Sequence, residues 1–223
     1  MMLTLLPLMA CSTDPEPDRY FPLEEGTRWI YSVTMKTMDG EQELRQVVQA
    51  GPKITNTQIP IYQRRVLGGP LFQYAVDDQG ITRLEQGRGR GATLESLVLP
   101  ANREVGNTWA AASQTSALQS SGEPWESLFK LNIPVVMEYA IAGDNEVVET
   151  GVDEFENCLL IEGTGEATRD MGDLLGETTV SVTSREWYAP GVGLVRMERT
   201  ETSTATSLAH GEIVAVLDGW TQD

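Results

Sequence analysis

The sequence predicts a mainly β protein: a single antiparallel, strongly curved sheet or an open, half-closed barrel, with at most one or two short helices. Three observations predict it. Apolar and polar residues alternate along most of the chain, glycine-rich turn signals punctuate that alternation, and helix signals are sparse. A period of two suits a half-buried strand, because successive side chains point to opposite faces.

The strands follow in order. In residues 27–36, Trp29, Tyr31, Val33 and Met35 share one face, while Arg28, Ser32, Thr34 and Lys36 fall on the other. Asp39-Gly40 then supplies a turn into residues 43–50. Residues 59–67 and 71–76 alternate in the same way, separated by Gly68-Gly69-Pro70 and followed by Asp77-Asp78-Gln79-Gly80. Residues 134–142, 158–167, 178–188, 193–202 and 207–217 continue the pattern, with turns expected at Gly143-Asp144-Asn145 and Ala189-Pro190-Gly191. Thr and Val are enriched in the last hundred residues, as strands prefer. Residues 110–121 are small and polar and read as a loop; residues 123–129 fit one short helical turn, with Ser121 as cap and Pro124 near its start. No repeat of propeller or solenoid length is visible, and no linker divides the body. One β domain over residues 20–223 is expected.

The first ten residues, M-M-L-T-L-L-P-L-M-A, are apolar and carry no charge. They are far short of the ~20 apolar residues that span a bilayer, and they suit the core of a secretory signal, with small Ala10 at the cleavage point. Leu8-Met9-Ala10-Cys11 resembles the lipobox of bacterial lipoproteins. There the cysteine thiol carries the lipid and becomes the mature N-terminus. Residues 1–10 are therefore expected to be a signal peptide, and residues 11–19 a lipidated tether kept extended by Pro and Asp. By the same resemblance, Ser12 after the cysteine favours the outer membrane of a two-membrane envelope, with the protein facing the periplasm.

Charge narrows the partners. The chain has 33 acidic and 16 basic residues, a net −17, which argues against nucleic acid and against docking on anionic lipid through surface charge. Hydrophobic residues make up 40%, too many for a disordered chain. With Cys11 lipidated, Cys158 is alone; in the apolar run N-C-L-L-I it reads as a small buried hydrophobe rather than a nucleophile. His210 is the single histidine, so triad chemistry and the usual zinc sites have almost nothing to be built from, and no cofactor is expected. Gly87-Arg88-Gly89-Arg90-Gly91 lacks the lysine and the strand-to-helix setting of a phosphate loop and reads as a glycine loop with exposed arginines. Asp144, Glu146, Glu149, Asp153, Glu154 and Glu156 lack calcium-loop spacing and read as a solvated acidic hairpin. Trp29, Trp109 and Trp187 sit in strand-like segments and are expected in the core.

Four segments carry a wider resemblance: Tyr20-Phe21-Pro22-Leu23 with Gly26, Trp29 and Tyr31; Leu99-Pro100 with Val105-Gly106 and Trp109; Phe155-Glu156-Asn157-Cys158; and Trp187-Tyr188-Ala189-Pro190-Gly191-Val192-Gly193-Leu194-Val195. The series resembles a broad group of bacterial secreted proteins and lipoproteins. The resemblance implies a curved antiparallel sheet or open barrel, loosely like the periplasmic lipoprotein carriers, and it brings no catalytic residues. The function expected is that of a non-catalytic envelope lipoprotein, held to the membrane by its lipid, that binds an amphiphile or serves as an assembly partner for another envelope protein. The alternative is a carboxylate-dependent hydrolase of cell-wall or polysaccharide material, recognisable by two carboxylates facing across a cleft. Stable anchoring needs two acyl chains or more, so Cys11→Ala should move nearly all of the protein out of the membrane fraction. Fractionation with lipid labelling checks this, and unchanged retention would refute it.

Overall fold

The alternating segments pair into a sheet that curls on itself. The computed structural model describes residues 18–57, 59–86, 93–122, 127–173 and 175–222. Fourteen strands run through them: β1 (Arg28–Thr37), β2 (Gly40–Ile54), β3 (Ile61–Val66), β4 (Leu71–Asp77), β5 (Gly80–Gln86), β6 (Thr93–Pro100), β7 (Thr108–Gln114), β8 (Gln119–Gly122), β9 (Ser127–Lys130), β10 (Pro134–Glu149), β11 (Glu154–Asp170), β12 (Glu177–Ala189), β13 (Gly193–Ser203) and β14 (His210–Thr221). Twelve form one antiparallel sheet in the order β6-β5-β4-β3-β2-β1-β14-β13-β12-β11-β10-β7, and β8 and β9 form a separate hairpin. The large sheet is thus two meanders joined where β1 pairs with β14. Its edge strands β6 and β7 come together without a backbone ladder. There the Trp109 indole N–H donates to Leu97 O at 3.1 Å, and Ser96 Oγ approaches Ala112 O at 3.5 Å. The result is a nearly closed barrel with one seam, in agreement with the fold class expected from the sequence.

Four local expectations are corrected. Residues 110–121 are not one loop: most of β7 lies there, paired with β10 from Thr108 to Gln114, and β8 begins at Gln119. Small residues suit β7 because Ala111 and Ser113 face a crowded interior. Of the helical turn expected over 123–129, residues 123–126 lie outside the described residues, and residues 127–129 are not helical, since Ser127–Lys130 pairs with Gln119–Gly122. Gly143-Asp144-Asn145 lies within β10, at register shifts that bend the hairpin, and the turn comes later, where the Thr150 N–H donates to Asp153 O at 3.0 Å. Residues 207–208, expected at the start of the last strand, belong instead to a single 3-10 turn, Thr206–Leu208, before β14.

Both ends of the barrel are plugged. At one end Tyr20, Phe21 and Leu23 pack with Tyr74, Ile81, Leu99, Leu159 and Tyr188. At the other, Leu118, Leu131 and Ile133 pack with Met137, Val180, Val182 and Leu208. A third cluster gathers Trp29, Cys158, Leu160, Trp187, Val195 and Leu217, where the bent β10–β11 hairpin lies against the sheet. Two glycines permit close approach. A Cβ on Gly163 would stand 2.5 Å from Tyr139 Cε1, so glycine lets that ring lie across β11 and stack on Trp109 at 5.5 Å between centroids. A Cβ on Gly211 would stand 2.4 Å from Ala117 O, where the second plug meets β14.

That second plug is held by one carboxylate. Glu201 is fully buried and accepts the Ser116 N–H at 2.9 and 3.0 Å, the Ala117 N–H at 2.8 Å and the Arg199 Nε–H at 2.6 Å. Removing one member of a buried ion pair strands the other, at a cost of ~3–5 kcal/mol. Glu201→Ala should therefore lower the unfolding free energy by about that amount, read from urea denaturation followed by tryptophan fluorescence.

Candidate functional site

Between the two plugs the barrel keeps a cavity of about 530 Å³. Alternation puts every second residue of each strand on it: Tyr31, Val33 and Met35 from β1, Leu44, Gln46 and Val48 from β2, Arg64 and Val66 from β3, Phe72 and Tyr74 from β4. Across from them stand Ala111, Tyr139, Ile161, Glu186, Tyr188, Met197, Arg199 and Ile213. β3 pairs with β2 only from Val48 onward, so the outer half of β2 has β1 on one side and no strand on the other among the described residues. Leu44 lies in that half, lines the cavity and is 52% exposed, which marks a side opening.

The lining is apolar with a few convergent charges, and each charge is treated differently. Arg199 spends its donors on Glu201, on Ser113 Oγ at 3.4 Å and on Gln114 O at 2.9 Å. Glu186 accepts the Tyr188 hydroxyl at 2.6 Å; burial pushes its carboxyl up, against the pull of that bond and of Arg199 and Arg83. Burial likewise raises the hydroxyls of Tyr31, Tyr74 and Tyr188, and pushes Tyr139 up to about 12, so all four stay neutral donors. Arg64 is 8% exposed and lies against the aromatic rings of the first plug, with its Cζ 3.7 Å over Phe21 and 4.4 Å over Trp29. Burial pulls its pKa down, but a guanidinium keeps its charge.

The residues singled out in the sequence fall mostly outside this lumen. Cys11 and Gly87-Arg88-Gly89-Arg90-Gly91 lie outside the described residues. His210 is exposed at the start of β14, its Nε2 3.0 Å from Glu212 Oε1. The acidic residues spread along the β10–β11 hairpin, and no metal-binding group of three or more His, Cys, Asp or Glu occurs among the described residues. Trp29, Trp109 and Trp187 are buried as expected. The four motif segments meet one another at the first plug and along the strands beside it. The Trp29 indole donates to Val192 O at 2.6 Å, Tyr31 Oη to Leu194 O at 3.0 Å, the Gly191 N–H to Arg19 O at 2.6 Å and Tyr20 Oη to Asn157 O at 3.3 Å. Their work is to fasten residues 18–31 to the barrel.

Sequence reading passed over the charged lumen residues, although a signal was present. Arg64 shares its strand face with Tyr62 and Val66, Arg83 with Ile81, Glu186 with Val182 and Tyr188, and Arg199 with Met197. A charge on the apolar parity of a strand marks either a buried pair or a site.

No family model and no curated protein matches the chain. Among solved structures, one similar chain is designated a lipoprotein, from Parabacteroides distasonis, at 15% identity and TM-score 0.47, covering 92% of this chain and 100% of that one. Another is designated an exported protein with a YmcC-like fold, from Bacteroides fragilis, at 15% identity and TM-score 0.43, covering 91% of this chain and 98% of that one.

Cys158 is fully buried against Phe155 O at 3.4 Å, and burial, helped by Glu146, pushes its thiol up to about 11. An acid whose folded pKa is raised binds more protons folded than unfolded, so its contribution to stability is intact below the unfolded value and is lost as pH rises through the folded one. In Cys11→Ala protein, Cys158 should stay unlabelled by a thiol reagent at pH 8 until denaturant is added. Stability should fall as the pH climbs from about 9 to about 11; labelling of the native protein at pH 8 would contradict this.

Proposed function

We propose that the protein is a non-catalytic lipoprotein of the cell envelope that holds an amphiphilic ligand in the lumen of its barrel, tethered by lipid on Cys11 to the outer membrane and facing the periplasm. The supporting observation is the cavity of about 530 Å³ with its side opening at Leu44. Small-molecule sites have this size and this chemistry, an apolar wall with a small number of placed polar groups. A structural role alone would be served by a filled core, since interiors pack to near-crystal density. The hydrolase alternative needs two carboxylates in one cleft. Among the described lining residues Glu186 is the single carboxylate, and its hydrogen bond goes to a tyrosine. The low histidine and cysteine content of the sequence favours binding over catalysis in the same way.

Native mass spectrometry of Cys11→Ala protein should find an amphiphile co-purifying, and a fluorescent fatty-acid probe should brighten on binding. Ala111→Phe puts a ring into the lumen and should weaken probe binding about tenfold or more, equivalent to ~1.4 kcal/mol. Absence of both adduct and probe binding would overturn the proposal, as would turnover of peptidoglycan or polysaccharide.

A further inference from the structure

Arg64 is the least satisfied charge in the lumen. A guanidinium carries five N–H donors; here one is used, Nη2 donating to Pro22 O at 2.5 Å. Nε is shut off from solvent and has no partner. The rings of Phe21 and Trp29 lie 3.7 and 4.4 Å from its Cζ, contacts made with the flat of the group, and its N–H edge is where a ligand would bond. No described carboxylate pairs with it. Glu24 acts on it through space without an ion pair, and the carboxyl of Glu186 answers to Arg199 and Arg83. Burying a cation without a counter-charge is costly, and an arginine edge matches the two oxygens of a carboxylate or phosphate. A chain of net −17 has thus kept inside its lumen a cation that has no ion pair among the described residues.

The surroundings suit the rest of an anionic amphiphile. Ala50 pairs with Arg64 across β2 and β3, while Leu44 lies six residues back along β2 at the side opening. At ~3.4 Å per residue the two levels are roughly 20 Å apart along the strand; Val66, Val48, Tyr31 and Gln46 line the space between, and Val33 stands level with Leu44. With ~30 Å³ for each water-sized group, the cavity takes one acyl chain rather than two or three.

We propose that Arg64 anchors the head group of the ligand, and that the ligand is a single-chain amphiphile with an anionic head, a carboxylate or a phosphate monoester. Its head lies against Arg64, and its tail runs toward Leu44. This rests on the lumen being a binding site, and the test separates the two claims. Palmitate, hexadecyl phosphate, hexadecanol and hexadecyltrimethylammonium, each below its micelle concentration, are titrated against Cys11→Ala protein loaded with a fluorescent fatty-acid probe. Palmitate or hexadecyl phosphate should displace the probe at concentrations at least about tenfold below hexadecanol, and the cationic amphiphile should be weakest. Whichever of the two anions is stronger assigns the head group. If the probe does not bind and no amphiphile adds to the protein by native mass spectrometry, the binding-site reading itself fails. If hexadecanol competes as well as the anions, the lumen binds amphiphiles but the anchor assignment is overturned.

Arg64→Met should erase the anionic preference while keeping hexadecanol binding; a preference that persists in that variant overturns the assignment. Arg64 also helps hold the first plug, so the variant is first checked by circular dichroism. If it does not fold, carboxyl-labelled palmitate on the Cys11→Ala protein decides. Its carbon resonance should titrate below the pH of the free acid, because a guanidinium favours the carboxylate; an unshifted or raised titration overturns the assignment.

Discussion

A sheet that curls until its two edges meet encloses a lumen, and the rest of this structure depends on how that lumen is filled. Twelve strands enclose more space than their inward side chains occupy. The chain closes the ends with its own segments: Tyr20, Phe21 and Leu23 at one end, and Leu118, Leu131 and Ile133 at the other. Each plug needs a polar fastening, because a segment inside a barrel has backbone groups that no neighbouring strand can satisfy. At the second plug Glu201 supplies it by taking two successive backbone N–H groups. At the first, indole and phenol donors from β1 reach carbonyls of the turn and strand after β12, and Arg64 takes Pro22 O. What the plugs do not reach is the cavity.

The seam shows the same economy. β6 and β7 are edge strands, and an open edge invites pairing with another chain. Here they face each other, and side chains from each contact the other's backbone. The outer half of β2 has no such cover. It carries Glu41, Glu43 and Arg45, charges of the kind that blunt an exposed edge, and between them Leu44 turns toward the lumen. An uncovered half-strand beside an apolar cavity leaves the lumen a side opening that is independent of either plug.

Buried charge is resolved in three ways within one interior. Arg199 and Glu201 neutralise each other and share the backbone of the plug. Burial raises the Glu186 carboxyl, and the Tyr188 hydroxyl donates to it. Arg64 is offered aromatic faces and a single carbonyl, which stabilise a cation without neutralising it. The first two arrangements are complete as they stand. The third is open, and it sets the chemistry of what can sit beside it.

Most of the strands were legible in the sequence, because alternation is a local property that needs only neighbours in the chain. Trp29, Tyr31 and Val33 declare their face whatever lies opposite, and Asp39-Gly40 and the glycines after Asp77 and Leu67 end strands by their own backbone freedom. The strand in residues 108–114 was missed because alanine and serine carry little hydrophobic contrast, and their smallness has meaning only once Tyr139 and Trp109 are known to crowd the same space. The acidic stretch was placed on a hairpin, but its turn lies several residues past Gly143, where bulges decide the register. Net charge, the scarcity of histidine and cysteine, and the inert character of Cys158 follow from composition and local context alone. Which charges stand together does not. Arg64 is visibly misplaced on an apolar face, but its lack of a partner depends on β1 meeting β14 and on the first plug folding back under β3. The first pairing joins residues more than 170 positions apart and the second joins residues 42 apart, and only the closed sheet brings them together.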